Sequence, residues 1–381
     1  MTVIKNKKLG KRKRSYRRSK NKVDQAFLTL VVGIVFIGLL IIFSAGVAVS
    51  QAKYGHPYHF FQHQLLYGII PGLLVMGLTS RLPYHYWQKL APVFLVVSLG
   101  TLVAVLISQA GLELKGARRW LYLGPFAFQP AEMVKLSLII YLASWLTAKE
   151  KVVKSFSDGL IPFVIVLGAV AILLILQPDV GSLGAIAFIA LSMFYLAGGS
   201  LRHIFFLIIA GLVALMILIK LEPYRLNRFL AFIHPEIDPQ GISWQVQQAA
   251  IAIGHGGLWG VGPGHSYQKF NYLPEVVGDS IFAIVAEELG LVGAGVLLFL
   301  FLALVLRGFY LARRAPDKFA ALLVAGISLW IAWQTLINIM AIVGLIPLTG
   351  ITLPFISYGA SSLIFLLAGA GIVLNVSRAI K

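Results

Sequence analysis

The chain contains no cysteine, which excludes disulfides, thiolate nucleophiles and cysteine-ligated metals but identifies no compartment. Charge is scarce as well. Only 12% of the 381 residues are Asp, Glu, Lys or Arg, and just 14 are acidic, about half the charge of an ordinary soluble domain. No Gly-Lys-Ser/Thr ending follows the glycine-rich stretch 254–264, so a nucleotide phosphate loop is excluded. There is no G-x-S-x-G motif, and Ser357, Ser361 and Ser362 have no evident base, which argues against a serine hydrolase. His56, His59 and His63 share i, i+3, i+7 spacing but lack an accompanying carboxylate or cysteine; they read as interfacial histidines rather than a zinc site. No convincing internal repeat is visible, which weakens an inverted-repeat transporter.

What is present is apolar sequence. Hydrophobic residues make up 59% of the chain, and the mean hydropathy is +0.87. Runs long enough to cross a hydrocarbon core of ~30 Å recur from end to end. They predict an all-α polytopic membrane protein, because an open sheet or loop could not satisfy its backbone in lipid. Ten spans are expected near 26–49, 60–78, 90–109, 131–147, 159–176, 181–198, 203–220, 280–306, 319–345 and 358–377. The domain reading is a basic tail, 1–23, followed by one membrane domain, 24–381.

The net charge of +18 is unevenly placed, with 11 of the 32 basic residues among the first 22 positions. Such a tail reads as a topology signal that touches anionic lipid, or as a partner-binding arm, rather than as a nucleic-acid site. With the N-terminus inside, about 23 of the 32 basic residues fall in cytoplasmic segments. The expected topology is therefore N-in, C-in. Glu113, Glu132, Asp179, Glu222, Glu236, Asp238, Glu275 and Asp279 then map to the outer side. So do the two longest loops, 110–130 and 221–279, and loops that long are usually functional. Any chemistry is expected outside the cytoplasmic membrane.

Asp279 ends the second long loop and begins an apolar helix. Position alone leaves two readings: an N-cap for that helix, or a general base with Glu275 flanking it and Gly278 leaving room. Glu132 and Lys135 lie three apart on one helical face. They are either a structural pair or part of a wet cavity, since charge at that depth is costly. Arg118, Arg119, Lys135, Arg225, Arg228 and Lys269 are the cations available for a phosphate group, although Arg119, beside Trp120, also suits an interfacial anchor. Glu287 and Glu288 lie two turns deeper and are equally compatible with helix–helix hydrogen bonding. The glycines of 254–264 permit tight turns and close backbone approach, with contact to a lipid phosphate as the other option.

Five segments in order closely resemble the SEDS family of bacterial shape, elongation, division and sporulation proteins. They are GARRWLYLGPFAFQPAEMVKL (116–136), QPDVGS (177–182), GGLWGVGPGHSYQKFNYLPE (256–275), DSIFAIVAEELGLVG (279–293) and PLTGITLPFISYGASSLI (347–364). GARRW, GVGPGHSYQK and the closing LNVSR (374–378) resemble the cell-division branch more than the elongation branch.

The resemblance implies a ten-span peptidoglycan glycosyltransferase that polymerises lipid II at the outer face of the bacterial cytoplasmic membrane, at the division septum. It also implies a class B penicillin-binding protein (an FtsI-like transpeptidase) as partner, with other divisome membrane proteins, and no nucleic acid. The family's catalytic aspartate falls on Asp279. Its loop glutamate and lysine fall on Glu132 and Lys135, and a further cavity acid falls on Asp179. Three positions depart from the family pattern: Val277-Gly278 replaces a usual His-Thr, Ala131 a usual serine, and Ala360 a usual glycine. The first puts any orienting role of that histidine in doubt.

The chemistry joins a sugar hydroxyl to an anomeric carbon and expels undecaprenyl pyrophosphate, with inversion. Asp279 would be the base; Arg118, Arg119 and Lys135 would neutralise the leaving group. Lys269 and Glu275 are further candidate pocket residues. No metal site is assigned, and a divalent cation (Mg or Mn) held by outer carboxylates is an open option. The rival functions are a flippase for a lipid-linked precursor and a scaffold that only docks division proteins.

Overall fold

The computed structural model describes residues 22–107, 111–114, 117–123, 126–221, 223–234, 241, 243–270 and 272–380. The basic tail 1–21 lies outside the described residues, as do Glu222, Glu236, Asp238 and the side chains of Glu113, Arg118 and Arg225.

The first half of the chain forms α1 (Gln25–Ala45), α2 (Val47–Tyr54), then α3 (His59–His63) and α4 (Ile70–Thr79) joined by a π-helical stretch, followed by α5 (His85–Ile107). A three-stranded antiparallel sheet, β1 (Gly111–Leu114), β2 (Ala117–Leu123) and β3 (Phe126–Phe128), comes next. After it come α6 (Pro130–Ala148), α7 (Ile161–Leu176), α8 (Val180–Leu196) and α9 (Leu201–Leu221). The second long loop holds α10 (Pro223–Ile233) and α11 (Trp244–Gly256), and the chain closes with α12 (Ile281–Arg313), α13 (Lys318–Ile342) and α14 (Ala360–Ala379).

Nine of these helical segments are long and apolar enough to span a membrane, and the shorter apolar α8 makes a tenth among the described residues. They lie within about five residues of the expected spans, except that α12 runs on to Arg313, beyond the expected end at 306. Two features were not expected: the small sheet in loop 110–130 and the two helices inside loop 221–279. Neither has a long apolar run to announce it.

The order of burial gives the bundle its shape. Helices α6, α13 and α14 are mostly buried, whereas α9 has no fully buried residue and packs against the core only through partly buried side chains such as Ile204 and Leu207. Helix α1 is intermediate. It buries Phe27, Val31, Ile34, Val35, Gly38, Ile41 and Ile42 along one stripe at the i, i+3, i+4, i+7 spacing of a single helical face. Gly38 permits its closest approach, because a Cβ there would lie 2.7 Å from the Cα of Ile356.

Helix α1 is also tied down at its start. Asp24 caps it, accepting from the Phe27 N–H at 2.8 Å, and takes Arg307 of α12 in a forked pair, Nε at 3.0 Å and Nη2 at 2.5 Å. Burial pushes the Asp24 carboxyl up, but the Arg307 and Phe27 hydrogen bonds outweigh it and hold the group below the usual carboxylate range. A depressed folded pKa stabilises the fold above the unfolded value of about 3.9. That contribution disappears as pH falls through the folded value. Thermal unfolding followed from pH 6 to pH 3 should therefore show a stability loss below about pH 4. In Asp24→Asn that component of the loss should be missing.

Helix α12 is broken inside its apolar run. Gly290 has φ +67 and ψ −171, so the local ladder of helical hydrogen bonds cannot form. The glycine-rich segment after α11 replaces it. Val261 N–H and Gly262 N–H donate to the Glu287 and Glu288 carbonyls at 3.0 Å each, while Leu291 and Val292 N–H donate to the Gly257 and Leu258 carbonyls at 2.9 and 3.1 Å. Non-helical backbone at such depth survives only when its groups are re-satisfied by protein. The glycines thus serve close backbone approach: a Cβ on Gly260, at φ +81, would sit 2.2 Å from the Glu288 carbonyl oxygen. Gly260→Ala should cost about 1–3 kcal/mol in overpacking beyond the αL penalty of about 1–2 kcal/mol. A lowered unfolding midpoint in detergent would register it.

Candidate active site

Asp279 lies just before α12, but it is not the cap. Ser280 occupies the N-cap position, and the Asp279 carboxylate instead meets Gln245 of α11, whose Nε2 donates to Oδ1 at 3.0 Å and to Ser280 Oγ at 2.9 Å. The backbone beneath it is held at three consecutive carbonyls. Tyr358 N–H donates to the Val277 oxygen at 2.7 Å, Ser357 Oγ to the Gly278 oxygen at 2.7 Å, and Asn338 Nδ2 to the Asp279 oxygen at 2.8 Å. Three donors from two distant parts of the chain therefore fix the position that the acid starts from. Gly278 leaves space for Glu275, since a Cβ there would meet Glu275 Oε2 at 3.1 Å. Glu275 itself takes φ +53, a conformation sparsely populated by non-glycine residues and typical of functional turns.

The loop between α13 and α14 is the hub around which the other charges gather. Gly350, at φ +70, faces Asp279, whose Oδ2 would be 3.9 Å from a Cβ there. Gly181, in the first turn of α8, abuts the Thr349 carbonyl, which a Cβ would approach to 2.5 Å. Asn338 Nδ2 also donates to the Ile351 carbonyl at 2.8 Å. Gln334 Nε2 donates to the Thr352 carbonyl at 3.1 Å. Arg228 reaches the Leu348 carbonyl at 3.4 Å. Residues 348–352 thus touch the segments that carry Asp279, Asp179 and Arg228, and reach Lys135 through Gln334.

Asp179 caps α8, its Oδ1 accepting from Ser182 N–H at 3.2 Å, while its Oδ2 is buried with no partner among the described residues. Arg119, from β2, lies against the turn before it and donates to the Gln177 carbonyl at 3.3 Å and to the Pro178 carbonyl. No acid pairs with Arg119 among the described residues.

Glu132 and Lys135 form a pair at 2.7 Å, only 4% and 2% exposed. Lys135 Nζ also donates to Gln334 Oε1 at 2.7 Å, and Ser362 Oγ donates to Glu132 Oε2 at 3.1 Å. The Trp330 indole N–H donates to the same Gln334 oxygen at 2.7 Å. This is a closed network, and a satisfied polar network rigidifies what it touches. Its contact with the pocket runs through Gln334 to Thr352.

Lys269 is elsewhere. Its Nζ pairs with Glu288 at 2.9 Å and donates to the Gly264 carbonyl at 2.6 Å, and Ser44 Oγ donates to both Glu288 oxygens at 2.7 and 2.8 Å. Glu288 lies nine residues beyond Asp279, about 13 Å at 1.5 Å per residue. Glu287 is likewise consumed, accepting from Ser266 Oγ, from Tyr267 N–H at 3.1 Å and lying 3.1 Å from His255 Nδ1. These two acids anchor the glycine-rich segment.

Gln245, Gln334, Asn338 and the 348–352 loop carry no charge, and reading the sequence for charge passed over them. The only available signal was the loop's place in a motif shared with a known family. No group of three or more His, Cys, Asp or Glu residues gathers into a metal cluster among the described residues.

Fold and site together define a multi-pass helical membrane protein whose Asp279, Asp179 and Arg228 gather about the 348–352 loop. A family model described as cell cycle protein (FTSW_RODA_SPOVE) matches residues 24–381, and the chain belongs to that family. It is 38% identical to stage V sporulation protein E of Bacillus subtilis over 94% of this chain and 98% of that protein. It is 35% identical to a probable peptidoglycan glycosyltransferase FtsW of Aliivibrio salmonicida over 93% of this chain and 89% of the relative. Among solved structures it superposes, with a TM-score of 0.76 and 30% identity over 94% of this chain and 98% of the other, on a chain from a peptidoglycan synthase complex that coordinates polymerization and crosslinking.

Proposed function

We propose that this protein is a peptidoglycan glycosyltransferase that polymerises lipid II on the outer face of the bacterial cytoplasmic membrane during division, alongside a class B penicillin-binding protein. The observation that carries the reading is the immobilised Asp279. The backbone of 277–279 is clamped at three consecutive carbonyls and the Asp279 carboxylate is oriented by a neutral amide, beside the 348–352 loop that Arg228 also reaches. The relatives' names and the synthase complex support the same chemistry. The unequal distribution of basic residues supports an N-in, C-in orientation, which puts this end of the bundle outside.

In the reaction, the hydroxyl oxygen of one lipid-linked sugar attacks the anomeric carbon of another. Asp279 takes the hydroxyl proton as the new C–O bond forms. The bond from the anomeric carbon to the pyrophosphate breaks, and its electron pair leaves on the phosphate oxygen. Attack opposite an α-linked leaving group yields a β-1,4 link. Arg119 and Arg228 are the cations best placed to meet the departing charge, since Lys135 is neutralised by Glu132. Breaking the donor's bond between the anomeric carbon and the pyrophosphate supplies the driving force, so no nucleotide is used.

A hard divalent cation needs only one or two protein carboxylates when substrate phosphates and water complete its shell. The buried Asp179 Oδ2, without a partner among the described residues, fits one such place. A bound cation would add positive charge at the pyrophosphate.

The test is glycan-strand formation from purified lipid II by the detergent-solubilised chain with its cognate transpeptidase present. Polymer is expected. Lipid II crossing a vesicle bilayer, with no polymer, would identify a transporter instead.

A further inference from the structure

At the end of the bundle away from Asp279, the start of α1 and the ends of α12 and α14 enclose a cleft of about 240 Å³, lined by Lys22, Asp24, Arg307, Tyr310, Arg314 and Ser377 among others. It lies at the end of the 33-residue α12 opposite to Asp279. Three basic side chains face it against one acid, Asp24. Both Asp24 oxygens are already taken by the Arg307 fork, and Ser377 Oγ is occupied by the Asp24 N–H at 3.0 Å and the Leu374 carbonyl at 2.7 Å. Lys22 and Arg314 therefore have no acidic partner among the described residues.

Arg314 is nevertheless held in place. Its guanidinium carbon lies 4.5 Å from the Tyr310 ring centroid, and that of Arg307 lies 4.6 Å from the same centroid. A guanidinium stacked on an aromatic face keeps its N–H edge for a planar, forked acceptor. Because Arg307 and Arg314 are seven residues apart, they share one face of α12.

We propose that this cleft binds a phosphate ester, and that its source is the headgroup of an anionic membrane lipid. Arg314 and Lys22, without an acidic partner among the described residues, supply the charge, and the volume suits a headgroup rather than a lipid-linked saccharide. The cleft opens where three membrane spans end, which is the depth at which lipid phosphates lie. Occupancy would brace the Asp24–Arg307 joint that ties α1 to α12 and α14.

The experiment uses the full chain in detergent, titrated with dioleoyl-phosphatidylglycerol, dioleoyl-phosphatidylcholine or inorganic phosphate. Retained lipid is read by native mass spectrometry and thermal shift. The site variant Lys22→Gln/Arg314→Gln is compared with a control that removes the same charge outside the cleft, Arg81→Gln/Lys89→Gln. All four residues are exposed, so both variants should fold, as unfolding midpoints without lipid will show. Phosphatidylglycerol should bind the site variant about tenfold more weakly than wild type, and the control variant nearly as well as wild type. Phosphatidylcholine should not stabilise any of them. Equal loss in both variants, or no loss in the site variant, would overturn the site. Inorganic phosphate binding as tightly as phosphatidylglycerol would overturn the lipid as its source.

Discussion

Asp279→Asn should lose about 10²–10⁴-fold in polymerisation rate while still binding lipid II. The asparagine carbonyl can keep the Gln245 hydrogen bond at Oδ1. The three backbone clamps do not involve the side chain, so the fold and the shape of the pocket should be preserved. What disappears is the capacity to take a proton as the hydroxyl attacks. The measurement is single-turnover polymerisation of fluorescent lipid II with the transpeptidase present, paired with a binding assay. Polymerisation at the wild-type rate would move the base elsewhere, with Glu275 the next acid to test. Loss of binding together with rate would show that the carboxylate positions substrate or a cation rather than moving the proton.

Lys269→Met should destabilise the protein by about 3–5 kcal/mol, because it leaves the nearly buried Glu288 carboxylate without its cation. Replacing both partners, Lys269→Met/Glu288→Leu, should restore most of that stability, since an apolar pair of similar size carries no desolvation cost. Thermal unfolding of the single and double variants in detergent gives the comparison. The double variant should also polymerise lipid II. A stable but inactive double variant would instead put Lys269 in contact with substrate, as the charge inventory of the outer loops allows. Lys135 is a contrasting case. It is as deeply buried as Lys269, but its partner Gln334 bonds directly to the hub loop, so changes there should reach catalysis as well as stability.

These contrasts show where reading the chain succeeded and where it stopped. Glu132 and Lys135 were recognisable as neighbours because three residues on a helix always share a face. Asp179 and Asp279 stood out as acids at the ends of apolar runs. Lys269 was grouped with them on charge and side alone. The structure assigns it to Glu288, with which it forms a buried pair. Asp279 looked equally like a cap or a base. The structure removed the cap by placing Ser280 there and turning the carboxylate toward Gln245.

The sequence by itself determined the class of the protein, the approximate places of its apolar helices and the residues able to ionise. The reason is physical: an apolar run of sufficient length must be helical in lipid whatever surrounds it. Only the tertiary structure decided which polar groups meet. Asn338 reaches Asp279 across 59 residues, Ser357 reaches Gly278 across 79, and Gln334 reaches Lys135 across 199. Helical periodicity says which face a side chain occupies, but its partner depends on how neighbouring helices rotate and pack, and that is set by the whole bundle at once.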